Sequence, residues 1–296
     1  GQSDKDQLDG AMDILLVGSD SRTDAQGNPL SESELAHLNA GVADGEINTD
    51  TIMIIRVPDD GSRATAVSIP RDTYVHTDDY GNMKINGVYG AHAAAKREEL
   101  IAAGKPEGPA LEQAVARAGQ LGLIDAIKDH TGVEVDHYAQ VGLLGFVLLT
   151  DAVGGVDVCL NAAVDEPLSG AHFPAGQQTL DGAQALSFVR QRHDLPRGDL
   201  DRIVRQQAYM ASLVQKVLSA GTLTSPAKLR DLATAAERSV TLDQSLDVMR
   251  FAQQMSGLAG GNVTFTTIPV TSVNGVGDFG ESIVTVDINE VHSFME

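Results

Sequence analysis

Five of the chain's fourteen arginines fall within the seventeen positions from Arg190 to Gln206: Arg190, Arg192, Arg197, Arg202 and Arg205. The planar guanidinium fork is suited to a bidentate grip on phosphate oxygens. Arg190 and Arg192 stand two apart on a stretch, Phe188 to Arg192, that reads as extended, which would point both side chains the same way. Arg202 and Gln206 stand four apart at the start of a helical pattern and share a face. The rest of the chain is acidic, with 41 Asp and Glu against 21 Lys and Arg and a net charge of -20. Cations gathered against that trend imply a local, highly charged anion. The competing reading is a solvated face with Asp194, Asp199 and Asp201 as partners, since surface ion pairs contribute little.

Two further signals lie upstream. Arg71, in Ser68-Ile-Pro-Arg-Asp-Thr73, directly follows a buried strand, where α/β sheets place site residues, and Pro70 stops the strand ladder from continuing. Taken alone, Arg71 could equally tie down a loop. Asp20 follows the first strand and Asp50 precedes the second. If those strands are antiparallel neighbours, both carboxylates reach the same sheet edge. Two carboxylates beside an anion-binding arginine set suit Mg²⁺, which completes its shell with water and phosphate. Either aspartate by itself reads as a loop or cap residue.

The elements that must position these residues alternate. Strands are expected at Met12–Val17, Thr51–Val57 and Ala64–Ile69, the last two as a hairpin, and helices at Ala91–Ala103 and Ala110–His130. Tyr138–Val141, Leu143–Val153 and Val156–Leu160 read as strand, helix, strand. Helices are expected again at Ser31–Ala43, Asp181–Ser187, Leu200–Leu218, Ala227–Arg238 and Leu242–Leu258, with closing strands at Val263–Pro269 and Ser282–Val286. This order predicts a layered α/β/α sandwich around a central mixed β-sheet, as one domain over 11–296 after a polar lead-in at 1–10. Residues of types AVILMFWYC make up 42% of the chain, enough for a sizeable core, while aromatics are 4% with no Trp. Scarce stacking platforms and a strongly negative charge argue against nucleic acid as a partner. The single cysteine, Cys159, makes no internal disulfide and reads as a small buried hydrophobe. Gly275-Val-Gly-Asp-Phe-Gly280 matches a dinucleotide fingerprint in letters only, because a strand rather than a helix follows it; it reads as a glycine-rich turn.

These segments together resemble the LytR-CpsA-Psr family. The matching blocks are Asp13–Arg22 (DILLVGSDSR), Asn48–Met53 (NTDTIM), Ser68–Thr73, Lys84-Ile-Asn86, Asp151–Asp157 (DAVGGVD), Leu180–Leu186 (LDGAQAL), and Val189–Arg192 leading to Asp199–Gln207 (DLDRIVRQQ). They occur in family order over positions 13 to 207. The resemblance implies a phosphotransferase that moves a glycopolymer from a polyprenyl-pyrophosphate carrier to peptidoglycan. It implies that Asp20 and Asp50 hold Mg²⁺ (or Mn²⁺), and that Arg71, Arg190, Arg192, Arg202 and Gln206 bind the pyrophosphate. The loop between Asp20 and Asp50 is longer than in common members, which leaves Asp24 as the alternative first carboxylate. Asp199, between the two arginine pairs, is the candidate base, with Asp72 as the alternative. The family places such a domain outside the cytoplasmic membrane on an N-terminal span absent from this chain. Acidic, Ala-rich composition resembles actinobacterial members, whose polymer would be arabinogalactan. Ala91–Ala95, Ala114–Leu123 and Leu143–Leu149 are expected to wall an apolar lipid tunnel. The rival functions are a hydrolase of the same lipid diphosphate and a non-catalytic polyprenyl-phosphate carrier.

Overall fold

The structure is a computed structural model that describes residues 10–19, 32, 49–58, 63–160, 164–166, 171–173, 175–190, 205, 209, 212–213, 216, 225–242 and 263–296. In chain order its elements are β1 (Ala11–Ser19), β2 (Thr49–Pro58), β3 (Ala64–Ile69), β4 (Tyr74–Thr77), β5 (Gly81–Lys84), a 3₁₀ turn (Ile85–Gly87), α1 (Val88–Ala102), α2 (Pro109–Thr131), β6 (His137–Val141), α3 (Leu143–Ala152) and β7 (Val156–Leu160). Then come β8 (Val164–Glu166), β9 (Ala171–Phe173), β10 (Gly176–Leu180), α4 (Gly182–Arg190), α5 (Pro226–Ser239), β11 (Val240–Leu242), β12 (Val263–Thr267), β13 (Ser272–Val276), β14 (Ser282–Thr285) and α6 (Ile288–Met295).

Six strands form the central sheet in the order β11-β6-β1-β2-β3-β12. β1 pairs parallel with β6, and β3 parallel with β12; the remaining ladders are antiparallel, so the sheet is mixed as expected. The β1–β2 register is set twice. Leu15 and Val17 alternate with Ile14 and Leu16, so a one-residue slip would exchange the two faces. Asp13 and Arg56 stand directly opposite each other and form a two-pronged ion pair at 2.8 and 2.7 Å, with Asp13 only 3% exposed.

On one face, Leu15, Val17, Ile52, Ile54, Val67 and Ile69 pack against Leu123, Ala126 and Ile127 of α2 and Val291 of α6. α1 lies on α2 at close range. A Cβ at Gly119 would come within 2.9 Å of the Tyr89 ring, and one at Gly122 within 2.4 Å of the His92 ring. Arg97 and Glu112 join the same helices by two 2.7 Å hydrogen bonds, and that guanidinium holds the Glu112 carboxyl below its usual range. α6 starts on Asp287, whose carboxylate accepts from the N–H groups of Asn289 and Glu290.

Three sequence expectations change. Phe188–Arg192 is not extended up to Arg190: α4 continues to that residue, because Phe188 and Ala185, one turn apart, bury together against Val153, Val156 and Leu180. Cys159 is exposed. In β7, Val156 and Val158 turn inward, which sends Asp157 and Cys159 outward by simple alternation. Ala94 and Ala95, expected in the wall of an apolar tunnel, are exposed. The glycine-rich segment does form a turn, between β13 and β14. Of the helix expected at 31–43 residue 32 alone is described, and it is helical; 243–258 lies outside the described residues, whereas Leu242 belongs to β11.

Candidate functional site

The ladder registers bring the first and second sequence signals to one edge of the sheet. Gly18 faces Thr51 and Ser19 faces Thr49, so Asp50 is the extra residue of a β-bulge at the start of β2. Bulges re-aim side chains and often lie beside functional sites. Ile52 faces Ile69, so β3 ends at the same edge, two residues before Arg71. The parallel strands β6 and β12 end there as well. Position 20 follows Ser19 in the chain, so positions 20, 50 and 71 belong to the ends of three adjacent strands. Asp20 itself lies outside the described residues, and of Asp50 the backbone alone is described.

Arg71 is held by its backbone. The turn Pro70–Thr73 closes with a 3.0 Å bond from Thr73 N–H to Pro70 O. Arg71 O accepts from Asn86 N–H, Thr73 O from Ile85 N–H, and Asp72 O from Val284 N–H, at 2.8–3.1 Å. The 3₁₀ turn and β14 therefore clamp this loop from two sides. The Arg71 side chain is 11% exposed, with Nε 3.8 Å from Asp72 Oδ1. Lys84 Nζ reaches the same oxygen at 3.4 Å. Sequence reasoning gave Lys84 no role; it ends β5, and the β4–β5 hairpin carries it back to Arg71. One carboxylate thus gathers a guanidinium and an ammonium at the sheet edge. Paired cations with little water around them bind an anion more strongly than the same charges on an open surface.

The Arg190–Gln206 cluster is described in part. α4 begins in a reciprocal cap, with Gln184 N–H donating to Asp181 Oδ1 at 2.9 Å and Asp181 N–H to Gln184 Oε1 at 3.0 Å. Gly182 N–H donates to Asp151 Oδ1, and a Cβ at Gly182 would lie 2.5 Å from Val147 O, so only glycine lets α4 sit this close to α3. Arg190 ends α4 rather than lying on an extended segment, which removes the sequence-based reason for its side chain to parallel that of Arg192. Further on, Arg205, Tyr209, Ser212, Leu213 and Lys216 are helical, as expected. The Arg205 guanidinium stands 5.0 Å from the Phe188 ring centre, and the Tyr209 hydroxyl hydrogen-bonds Thr150 of α3. Burial pushes Tyr209 up to about 12, so it remains a neutral partner. These contacts seat the helical residues Arg205 and Tyr209 on α4 and α3. Arg192, Asp199, Arg202 and Gln206 lie outside the described residues, as does Asp24.

The LytR_cpsA_psr family matches residues 2–295. The chain belongs to this family. It is 69% identical over 296 residues to the cell wall biosynthesis protein LcpA of Corynebacterium glutamicum, covering all of this chain and 57% of that protein. It is 29% identical over 243 residues to a polyisoprenyl-teichoic acid–peptidoglycan teichoic acid transferase, TagU, of Bacillus mycoides, covering 81% of this chain and 64% of TagU. The chain therefore spans little more than half the length of LcpA. Among solved structures, Bacillus subtilis TagV superposes with a TM-score of 0.66 at 20% identity over 96% of this chain and 95% of TagV. A LytR-Csp2A-Psr enzyme from Actinomyces oris gives 0.64 at 17% identity, over 96% of this chain and 88% of that one. Both share its mixed α/β fold.

Proposed function

We propose that this chain is the catalytic domain of a phosphotransferase that moves a glycopolymer from a polyprenyl-pyrophosphate carrier to peptidoglycan. The observation that carries this reading is the strand register, which collects positions 20, 50 and 71 at one edge, with Lys84 beside Arg71. Family membership supplies the substrate class. Resemblance to actinobacterial members, and above all to a corynebacterial cell wall protein, favours arabinogalactan as the polymer.

A peptidoglycan sugar hydroxyl attacks the phosphorus that bears the glycan. The bond from that phosphorus to the bridging oxygen breaks, and polyprenyl monophosphate leaves. The hydroxyl proton passes to a carboxylate, assigned to Asp199. Asp72 is already engaged by Lys84 and Arg71, which suits an orienting role better than that of a base. Arg71 and Lys84, with Arg190, Arg192, Arg202 and Gln206, hold the diphosphate and meet the charge that builds on the transferring group. Asp50, at the bulge that opens β2, and Asp20, next in the chain after Ser19 of β1, would offer Mg²⁺ or Mn²⁺ the hard oxygen donors such ions prefer. That ion, when bound, neutralises diphosphate charge. Among the described residues, no group of three or more His, Cys, Asp or Glu could hold a metal.

The polyprenyl tail needs an apolar channel, since each CH₂ removed from water contributes ~0.8 kcal/mol. We assign the channel to the space between the sheet and a helical layer, opening near Arg71. Family membership favours a place on the outer face of the cytoplasmic membrane; no helix among the described residues is long and apolar enough to cross a membrane.

The test is transfer from a purified lipid-linked donor to peptidoglycan, with and without EDTA, by wild-type and Asp50→Ala protein. Metal-dependent formation of the glycan–phosphate–peptidoglycan linkage is expected. Undiminished transfer in thorough chelation removes the metal, and release of glycan phosphate to water whether or not acceptor is present makes the protein a hydrolase. Equal binding of long- and short-chain polyprenyl phosphates removes the channel.

A further inference from the structure

Phe279 is the most exposed large apolar side chain among the described residues, 90% open to solvent, and Val276 close by is 73% exposed. Both sit at the turn between β13 and β14, in Val276-Gly-Asp-Phe-Gly280. An apolar ring left in water does nothing for the fold, and a slack loop would tuck it away. This turn is not slack. Gly280 N–H donates to Gly277 O at 3.1 Å, and Gly277 N–H to Glu281 O at 2.9 Å. The Glu281 carboxylate folds back to accept from Phe279 N–H at 2.9 Å. A Cβ at Gly277 would stand 2.1 Å from the other Glu281 oxygen, so the fold-back needs glycine there. Asp278 N–H donates to the Tyr74 hydroxyl at 3.0 Å, and Asn82 Nδ2 to Asp278 Oδ2 at 3.3 Å. Beside the ring, Gly280 has a φ of +80° and open space where a Cβ would be, so a ligand can approach the backbone closely.

The root of the same hairpin belongs to the candidate site. Val284 N–H donates to Asp72 O, and Tyr74, which anchors Asp278, follows Arg71 by three residues. Phe279 is five residues from Val284, so its backbone lies no more than about 18 Å from that contact. Charge selects the occupant. Asp278 and Glu281 flank the ring, and the β4–β5 hairpin bonded to this turn adds Asp78 and Asp79. Lys84 of that hairpin is engaged by Asp72. A phosphate-rich lipid face or polymer would be repelled here. An uncharged sugar ring would not. Its C–H face packs on an aromatic ring, and its hydroxyls donate to carboxylates; Asp278 Oδ1 and Glu281 Oε1 take no part in the bonds above. In the transfer proposed above, the donor is already gripped by its diphosphate and its lipid. The acceptor offers a chain of sugars and needs a hold of its own, away from the reacting centre.

We propose that the β13–β14 turn is a docking point for the acceptor glycan, with a sugar ring stacked on Phe279 and its hydroxyls on Asp278 and Glu281. The acceptor role rests on the transferase reading; the sugar contact does not.

Co-sedimentation of the intact chain with purified peptidoglycan sacculi measures the contact, and transfer kinetics at saturating donor measure its use. Phe279→Ala is expected to weaken sacculus binding and to raise the acceptor KM roughly 3- to 10-fold, with kcat, donor KM and Tm unchanged. Phe279→Tyr, which keeps the ring, should restore both. Wild-type sacculus binding in Phe279→Ala overturns the docking point, whatever the transfer assay reads. So does a defect that falls on the donor KM instead, or Phe279-dependent binding to phosphatidylglycerol vesicles in place of sacculi. Sacculus binding through Phe279 with no transfer from a lipid-linked donor overturns the acceptor role together with the transferase reading, and leaves the sugar contact standing.

Discussion

His130 should make the stability of this fold fall as the solution is acidified toward pH 5. It sits in the last turn of α2, 4% exposed, and its Nε2 finds no hydrogen-bond partner among the described residues. Burial, with repulsion from His292, lowers its pKa from 6.5 to about 4. The folded state therefore binds fewer protons than the unfolded state between those values, so stability drops once pH passes below 6.5 and stops dropping below about 4. With those two values, the loss from pH 7.5 to pH 5 is about 2 kcal/mol, and the full loss is about 3 kcal/mol. Urea unfolding of wild-type and His130→Leu protein at half-unit steps between pH 4.5 and 7.5 measures it, since other groups contribute to both proteins and cancel in the difference. The variant should lose the His130 share of the pH slope. Parallel stability-versus-pH curves for the two proteins would refute the reasoning.

Arg71→Ala and Lys84→Ala should each lower kcat for transfer by roughly 30- to 1000-fold, the equivalent of 2–4 kcal/mol of lost charge stabilisation, with little change in Tm; wild-type rates in both would dismiss this edge as the site. Gly122→Ala should destabilise the protein by roughly 1–3 kcal/mol in urea, because the new methyl meets the His92 ring and the helix pair must part. An unchanged midpoint would show that His92 moves aside freely. Cys159 should react with one equivalent of a maleimide in the native state without loss of Tm, and a thiol protected until unfolding would contradict its outward position on β7.

Long apolar or helically periodic segments were legible from the sequence: β1 to β3, α1, α2, and the run β6–α3–β7. The place of Arg71 just past a buried strand was legible too, because a proline stops that strand before it. β4, β5, β8 and β9 were not, since strands such as Gly-Asn-Met-Lys in β5 carry no alternation and exist only through their partners. Lys84 went unassigned for the same reason: its approach to Arg71 is produced by that hairpin. Phe188 and Val189 suggested an extended segment by type, and burial on α3 and β7 overrode the preference. Cys159 was misjudged although Val-Asp-Val-Cys already spelled out its outward side.

The order of strands in the central sheet also dictates a sequence of events in time. β1, β2 and β3 can zip together soon after they are synthesised, yet both margins of the sheet, β11 and β12, come from residues 240–242 and 263–267. Until then β3 presents a row of unpaired backbone groups, and its eventual neighbour β12 lies nearly two hundred residues downstream in the register Ala64 to Val263. Long-range parallel pairing of this kind is slow, and a bare strand edge is a template for association with other chains. A chain truncated before residue 263 keeps all three motif-bearing strand ends and still lacks its last seam, so it should accumulate as aggregate rather than as a smaller working domain.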